Sequence, residues 1–466
     1  MSLFIVRHDH DSDRCPAADP LVGASLLNHL SRPNLRDHGI EIRGEAVVQG
    51  QHAMFMILEA EDEEHLRTFL APFAQAGTIE VLPASTCVRV VASGGCAGEP
   101  PALEPETALD PEEACEHAIE AGLLVHRAHP LNGETSIAAL LGGVVMPNAQ
   151  FYVRNHFQIP RLDPATWQLS VHGLVDRPLR LSLRDLHNMP SQTSVVTLEC
   201  AGNGRYTVDP PAPGEQWHLG AVSTAEWTGV PLAEVLDRCG VQPGACEVLF
   251  RGADGGRVDD RPDEIAFERS LRVDVARDAN ALLAYAMNGE AIPAHHGFPV
   301  RVVVPDWYGV ASVKWLTDIE LIGSPFAGYY QFDKYQYEWS RNGGVEREPV
   351  TLQKVRALIT EPSDNGVITS GELAVRGVAW SGAATIERVD VSVDGGPWQE
   401  ARLIGDRQRH SWQWWELLTR VTDPGPISLR ARATDLAGRT QPDVAPWNPH
   451  GYGNNAIQEV RVTCAP

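Results

Sequence analysis

The residues that could do chemistry crowd into four short segments: Tyr152-Val153-Arg154-Asn155-His156, Thr197 to Arg205, His296 to Pro305 and Gly309 to Leu316. Cys200 is the most suggestive of them. It ends the apolar run Ser194-Val195-Val196-Thr197-Leu198-Glu199 and opens a turn holding Gly202 and Gly204, so a strand would hold it rigidly while its side chain projects from the strand's end. A thiolate is a soft ligand suited to transition metals, and Arg205 nearby favours the thiolate over the thiol. The competing reading is a buried cysteine that acts only as a small hydrophobe, and the local sequence by itself leans that way.

Arg154, Arg205, Arg301 and Lys314 sit in apolar or glycine-rich surroundings. Arginine offers a planar fork of donors to oxyanions and phosphate, and lysine a compact charge. Clustered, they could bind a phosphorylated cofactor and an oxyanion together; taken singly, each could pair with a surface carboxylate. His156 and His296 could donate to the same groups or be structural. Tyr335 lies in the aromatic run Tyr329 to Tyr337, where a hydroxyl could hydrogen-bond a substrate or relay a proton, or the ring could simply pack.

The elements that must position these residues read as three domains, in line with roughly 150 residues per domain in a chain of 466. Residues 1–95 follow a βαββαβ order, which suggests a ferredoxin-like domain, with a helix after Pro20, a hairpin around Gln49-Gly50-Gln51 and a helix from Asp62 onward. His8 and His10 share a strand face, and with Cys15 could bind a second metal; the alternative is a solvated strand end. Residues 93–111 are rich in Gly, Pro and Glu, a linker composition; the linker is set at 96–115, with a short helix expected over residues 112–127. Residues 116–350 mix short strands with a few helices, an α+β pattern. Residues 351–466 read as all-β at sandwich spacing, immunoglobulin-like, with a hairpin turn at Asp394-Gly395-Gly396.

Composition narrows the function classes. The 38 basic and 61 acidic side chains leave a net charge of −23 and no Lys/Arg run, which argues against nucleic acid as a partner. An anionic substrate would need a local basic pocket to overcome that field. The eight cysteines are scattered without a CxxC pair, which fits reduced thiols. No apolar run reaches the ~20 residues needed to span a bilayer, and no signal peptide is visible. The expectation is therefore a cytoplasmic protein, or a periplasmic one if a leader has been removed.

Taken in order, the segments Tyr152 to His156, Leu198 to Arg205, Trp217 to Val230, Leu282 to Gly289 and His296 to Pro305 resemble the sulfite oxidase family, which includes bacterial sulfane dehydrogenase subunits and plant nitrate reductase. The likeness covers about residues 125–460. It implies that Cys200 ligates molybdenum beside the dithiolene of a molybdopterin, and that Arg154 and Arg205 line an oxyanion pocket. It also implies pterin contacts from Tyr152, Val153, Arg154, Asn155 and His156, and from Asp254, His296, Arg301, Ser312 and Lys314. Asp254 sits in a divergent segment. The family's active-site tyrosine aligns best with Tyr335, with Tyr337 a competing placement. The implied reaction is oxygen-atom transfer to sulfite or a related sulfur compound in a homodimer held by the C-terminal domain. One position departs: where the family carries a further pocket arginine in a Trp-Asn-x-Arg-Gly segment, this chain has His450, which puts sulfite itself in question and leaves room for another small oxo-substrate, or for a scaffold without cofactor. No haem-attachment motif, Fe–S cysteine set or flavin loop is visible, so electrons are expected to leave to an external acceptor, a cytochrome or oxygen.

Overall fold

The computed structural model describes residues 2–9, 29–30, 34–35, 38–48, 53–76, 78–84, 111–258, 260–278, 280–341 and 344–465. Contacts divide the chain into two compact units, Met1–Pro101 and Ala102–Pro466.

In the first unit, β1 (Ser2–Asp9), β2 (Glu41–Val48), β3 (Ala53–Ala60) and β4 (Thr78–Ala84) form an antiparallel sheet in the order β2-β3-β1-β4. Helix α1 (Glu63–Phe69) starts where Asp62 accepts the His65 backbone N–H at 2.8 Å, and α2 (Ala71–Ala76) follows it. The period-2 pattern of β1 sends Phe4, Val6 and His8 into a core with Met56, Leu58, Leu66 and Phe73 and leaves Ile5 facing out. His8 is buried there, its Nε2–H donating to the Phe73 carbonyl at 3.1 Å. That places His8 in a core contact; His10, Cys15, most of the helix after Pro20 and the tip at Gln49–Gln51 lie outside the described residues.

The second unit is mostly β rather than the expected α+β, and its longest helix among the described residues, α3 (Pro111–Glu120), has 10 residues. Its start lies one residue before the helix expected from residue 112, so the linker bounds of 96–115 run too far; proline is well suited to the first helical position. Residues 124–127, expected as the end of that helix, instead form β5 (Leu124–Arg127), which joins β6 (Asn132–Glu134) and β7 (Val153–Arg154) in a small sheet. Two five-stranded sheets follow. One contains β10 (Gln192–Glu199), β11 (Val222–Pro231), β14 (Leu282–Met287), β15 (Glu290–Ala291) and β16 (Arg301–Val303). The other runs β13 (Ile265–Arg272), β12 (Glu247–Gly256), β17 (Leu316–Ile322), β8 (Gln168–Gly173) and β9 (Leu179–Ser182).

Both sheets bury residues in one core, for example Val230, Leu283 and Val302 from the first with Val171, Phe250 and Ile319 from the second. Helix α5 (Leu232–Cys239), which follows the short α4 (Leu183–His187), adds Leu232, Val235, Leu236 and Cys239 to that core. Their i, i+3, i+4, i+7 spacing puts all four on one helix face. On the other side of β11, Trp217, Trp227, Leu198 and Met287 form a second cluster.

After a hairpin of β18 (Gln336–Arg341) and β19 (Gly344–Pro349), residues 356–465 build an eight-stranded ladder: β20 (Arg356–Glu361), β22 (Gly371–Trp380), β25 (Gln413–Val421), β24 (Gln399–Ile404), β23 (Ile386–Val393), β26 (Gly425–Asp435), β27 (Glu459–Ala465) and β21 (Val367–Thr369) in spatial order. Val375 and Trp415 from one half of the ladder share a core with Val391, Leu429 and Val460 from the other. The turn after β23 has φ +50° at Asp394 and +69° at Gly395, with the Gly396 N–H donating to Val393 at 2.9 Å, as a type I′ hairpin requires. No described helix is long and apolar enough to cross a membrane.

Candidate active site

The ends of β7, β10, β12 and β16 converge on one cavity with about 650 Å³ of empty space measured out to its mouth. Cys200 follows the last residue of β10 and is 7% exposed. Its N–H donates to the Ala221 carbonyl at 2.9 Å and its carbonyl accepts from Asn203 at 2.9 Å, so the backbone on both sides is held while the thiol reaches the cavity. Burial pushes the thiol pKa up, while Arg154 and then Arg205 pull it down. A bound cation would complete that shift and make the thiolate the resident form.

A second lobe is built from cations and buried polar atoms. Lys314 Nζ donates to the carbonyls of Arg154 (3.0 Å) and His295 (2.9 Å) and to Asn155 Oδ1. Burial, then Arg301, holds its ammonium well below its ordinary range. Arg301 donates to the carbonyls of His296 (2.8 Å) and Ser312 (3.0 Å), and its guanidinium lies 4.9 Å from the Trp227 ring. Gly297, at φ +114°, leaves room for both: a Cβ there would meet Lys314 Cβ at 3.0 Å and Arg301 Cβ at 3.2 Å. His296 Nε2–H donates to the Asn148 carbonyl at 3.1 Å. Asn155 is locked by its Nδ2 donating to the Leu131 carbonyl at 2.9 Å. Ser312 is buried, its Oγ accepting the Val304 N–H at 3.0 Å. Tyr152 stands in the wall with Phe151 and Trp315.

Asp254 lies in the stretch where β12 loses register with β13. It lines the cavity, is 5% exposed, and its Oδ1 has no hydrogen-bond partner. Burial raises its pKa to about 6 against the opposing pull of Lys314. An orphaned buried acceptor beside a cavity calls for a donor from whatever fills it.

Tyr335 and His156 form the third part. The Tyr335 hydroxyl and His156 Nε2 share a hydrogen bond of 2.8 Å at the cavity wall, and the Tyr335 ring stacks on Tyr452 at 4.9 Å. Burial raises the phenol far above its usual range and, with Arg154 next, holds the imidazole well below its own. Tyr337 points elsewhere: it lies away from the cavity, stacked on Trp339 with Lys354 4.7 Å from its ring.

Three sequence candidates do not line the cavity. Val153 has its side chain in a separate apolar cluster with Ala114, Ala118, Leu123 and Leu131, because alternate residues of a strand face opposite ways. Arg205 turns back to donate from Nε to the His450 carbonyl (3.0 Å) and from Nη1 to the Glu215 carbonyl (2.8 Å), 5.4 Å from the Tyr452 ring. Gly202 and Gly451 make that path possible, since a Cβ at either would come within 2.6 Å and 3.0 Å of the arginine side chain. His450, half-buried, is reached through that carbonyl. Sequence reading missed Phe267, which stacks on His156 at 4.9 Å and lines the wall; an apolar residue on a buried strand carries no local mark of lining a cavity.

The strand that carries Cys200 is gripped by the C-terminal sheet. Glu199 Oε1 accepts from Arg356 (3.1 Å) and Asn203 (3.0 Å), and its Oε2 from Trp380 (2.9 Å). On either side, the Thr197 N–H donates to the His410 carbonyl at 2.8 Å, and Gly453 donates to the Ala201 carbonyl at 2.7 Å.

The buried histidines also set a pH dependence. Burial, then Lys314, lowers the His295 pKa to about 4, whereas an unfolded histidine titrates near ~6.5. Below ~6.5 the unfolded chain binds protons that the folded ring refuses, so the stability contributed by a neutral His295 is present above that pH and is lost as pH falls toward 4. In cofactor-free protein, His295→Gln is expected to remove about 2 kcal/mol of the stability loss between about pH 6.5 and 5, measured by urea unfolding. A slope that the substitution leaves unchanged would contradict this.

The donor set fits a molybdenum–pterin group. It offers the Cys200 thiol, which as a thiolate would be a soft ligand, a cationic and amide-rich lobe at Lys314, Arg301, His296 and Asn155, and the orphaned Asp254 acceptor, which would suit an N–H-bearing ring. Comparison with known proteins points the same way. Residues 156–330 match the oxidoreductase molybdopterin binding domain, residues 347–465 the Mo-co oxidoreductase dimerisation domain, and residues 19–95 a domain of unknown function. Mitochondrial sulfite oxidase of Mus musculus is 36% identical over 391 residues, 77% of this chain and 71% of that protein. Sulfite oxidase of Arabidopsis thaliana is 31% identical over 368 residues, 72% of this chain and 93% of that protein. Among solved structures, the sulfane dehydrogenase SoxCD from Paracoccus pantotrophus aligns with a TM-score of 0.64 at 28% identity, covering 78% of this chain and 92% of that one. With its thiol, its basic lobe and its dimerisation domain in family order, the chain belongs to the sulfite oxidase family of molybdopterin-dependent oxidoreductases.

Proposed function

We propose that this chain oxidises sulfite, or a closely related sulfur oxyanion, in the Cys200 cavity and passes the electrons to an external acceptor. The observation that carries this is the joint placement of a buried thiol and Arg154 in one cavity wall, beside the Lys314–Arg301–His296 lobe. When bound, the molybdenum–pterin group supplies oxygen-atom transfer and two-electron redox chemistry. The protein's part is positional and electrostatic. Lys314, Arg301, His296 and Asp254 hold the pterin side. Arg154 presents positive charge to an anion in a chain of net charge −23. The neutral Tyr335–His156 pair holds a proton at the cavity wall. The C-terminal sheet is read as an immunoglobulin-like sandwich that joins two copies in a homodimer. The β2-β3-β1-β4 order of the first unit, a helix after β3, supports a ferredoxin-like domain there.

The direct test is sulfite-dependent reduction of cytochrome c or ferricyanide by molybdenum-loaded protein, with sulfate formed at one per two electrons. Loaded protein that leaves sulfite unoxidised with every acceptor would overturn the assignment. Arg205 braces the loop at 448–452 rather than the cavity, so Arg205→Gln is expected to raise the sulfite KM about 10–100-fold with molybdenum content retained.

A second reading rests on His450. Burial, reinforced by Lys334 and Arg205 against the pull of Glu338, lowers its pKa, so the ring is neutral where the family carries a cation. That favours a substrate with less negative charge than sulfite. Under this reading His450→Arg raises sulfite kcat/KM about tenfold or more, whereas unchanged turnover removes His450 as the cause.

A further inference from the structure

Away from the Cys200 cavity, three side chains from separate segments converge. His126 lies on β5, Glu134 ends β6, and His218 precedes β11; one ligand atom from each falls within 4.8 Å of the other two. Glu134 Oε1 is 3.2 Å from His126 Nε2 and 2.8 Å from His218 Nδ1. The carboxylate is 2% exposed and is fixed by the backbone N–H groups of His218 (3.2 Å) and Gly220 (3.3 Å). His126 Nε2 is buried against the Trp217 ring, yet it makes no hydrogen bond despite its closeness to that oxygen. That ring nitrogen lacks a hydrogen-bond partner, and a cation shared with the carboxylate would satisfy it.

We propose that His126, Glu134 and His218 bind one divalent transition-metal ion of the zinc type, separate from molybdenum. Two imidazoles and a carboxylate suit such an ion, which takes ligands at about 2.0–2.2 Å in tetrahedral array and so spaces them about 3.3–3.5 Å apart. The 3.2 Å separation is already close to that spacing, and the 2.8 Å hydrogen bond between His218 Nδ1 and Glu134 Oε1 opens by about half an ångström when the ion replaces its proton. The His218 side chain is 50% exposed, which opens a route for the ion and leaves its fourth position to water.

The site also has a consequence for Arg205. The His218 carbonyl accepts the Gly204 N–H at 2.5 Å, the Trp217 carbonyl accepts the Tyr206 N–H at 3.2 Å, and the Glu215 carbonyl accepts Arg205 Nη1 at 2.8 Å. An ion tying His218 to β5 and β6 therefore stiffens the turn that aims Arg205. The proposal stands on the three side chains and is independent of the substrate assignment.

The test uses tag-free, full-length protein stripped of labile metal and titrated with Co²⁺. One Co²⁺ per chain is expected, with the visible bands of a four-coordinate ion, no thiolate charge-transfer band, and displacement by Zn²⁺. His218→Ala, at a half-exposed position, is expected to weaken Zn²⁺ binding at least about 30-fold with molybdenum content and circular dichroism unchanged. His126→Gln serves as the second variant and is expected to weaken binding to a similar degree. No bound Co²⁺, a thiolate band that places the ion on cysteine, or Zn²⁺ affinity in both variants equal to that of the unmodified protein would overturn the site.

Discussion

Cys200→Ser lowers sulfite-dependent electron transfer at least about 10³-fold, an expected loss of 4 kcal/mol or more in the activation barrier. The substitution changes one atom in a cavity wall, so packing is nearly conserved. A hydroxyl is a hard ligand that stays protonated at neutral pH, whereas the thiol is within reach of the thiolate form once a cation is bound. The fold should survive, since a hydroxyl facing an open cavity costs at most about 1–3 kcal/mol. The measurement is turnover beside molybdenum and pterin content of the same preparation. Retained pterin with activity lost assigns the thiol to the metal; activity above a tenth of wild type would sink the assignment of Cys200 as ligand.

Glu199→Ala is the second large effect, and it acts on stability. Glu199 and Arg356 are each 2% exposed and form the ion pair that joins β10 to β20. Removing the carboxylate leaves a buried guanidinium without its counter-charge, which costs about 3–5 kcal/mol. At roughly 2–4 °C per kcal/mol for large domains, the melting temperature should fall by on the order of 10 °C. The neighbour of Cys200 is then no longer held, so molybdenum retention should fall too. Glu199→Gln keeps an acceptor for Trp380 while removing the charge, and should cost less. Calorimetry on both variants separates the ionic part from the hydrogen bonds; equal, small shifts would show that the pair contributes nothing net.

The parts of this molecule legible in the sequence were those encoded within a few residues. The apolar run ending at Cys200 became β10 and stopped one residue before it. The spacing in Leu232 to Cys239 became one buried helix face, and Asp394-Gly395 took the two left-handed conformations of a tight hairpin. Local reading failed where two periods overlap, as in residues 112–127, where the helix gives way at Gly122 to a strand.

Motif order was enough to name Cys200, Arg154, Arg301 and Lys314 as candidates, because a residue type in an unusual setting is visible without its partners. Which of them face one cavity was decided by tertiary structure. Arg205 turns to the Glu215 and His450 carbonyls because two glycines clear its path, and Tyr335 rather than Tyr337 meets His156 because the chain enters the left-handed region at Tyr335. The ion pair at Glu199 and the cluster at His126, Glu134 and His218 join residues up to 157 positions apart. No local periodicity records such pairings, since strand order and sheet packing set them only when the whole core closes.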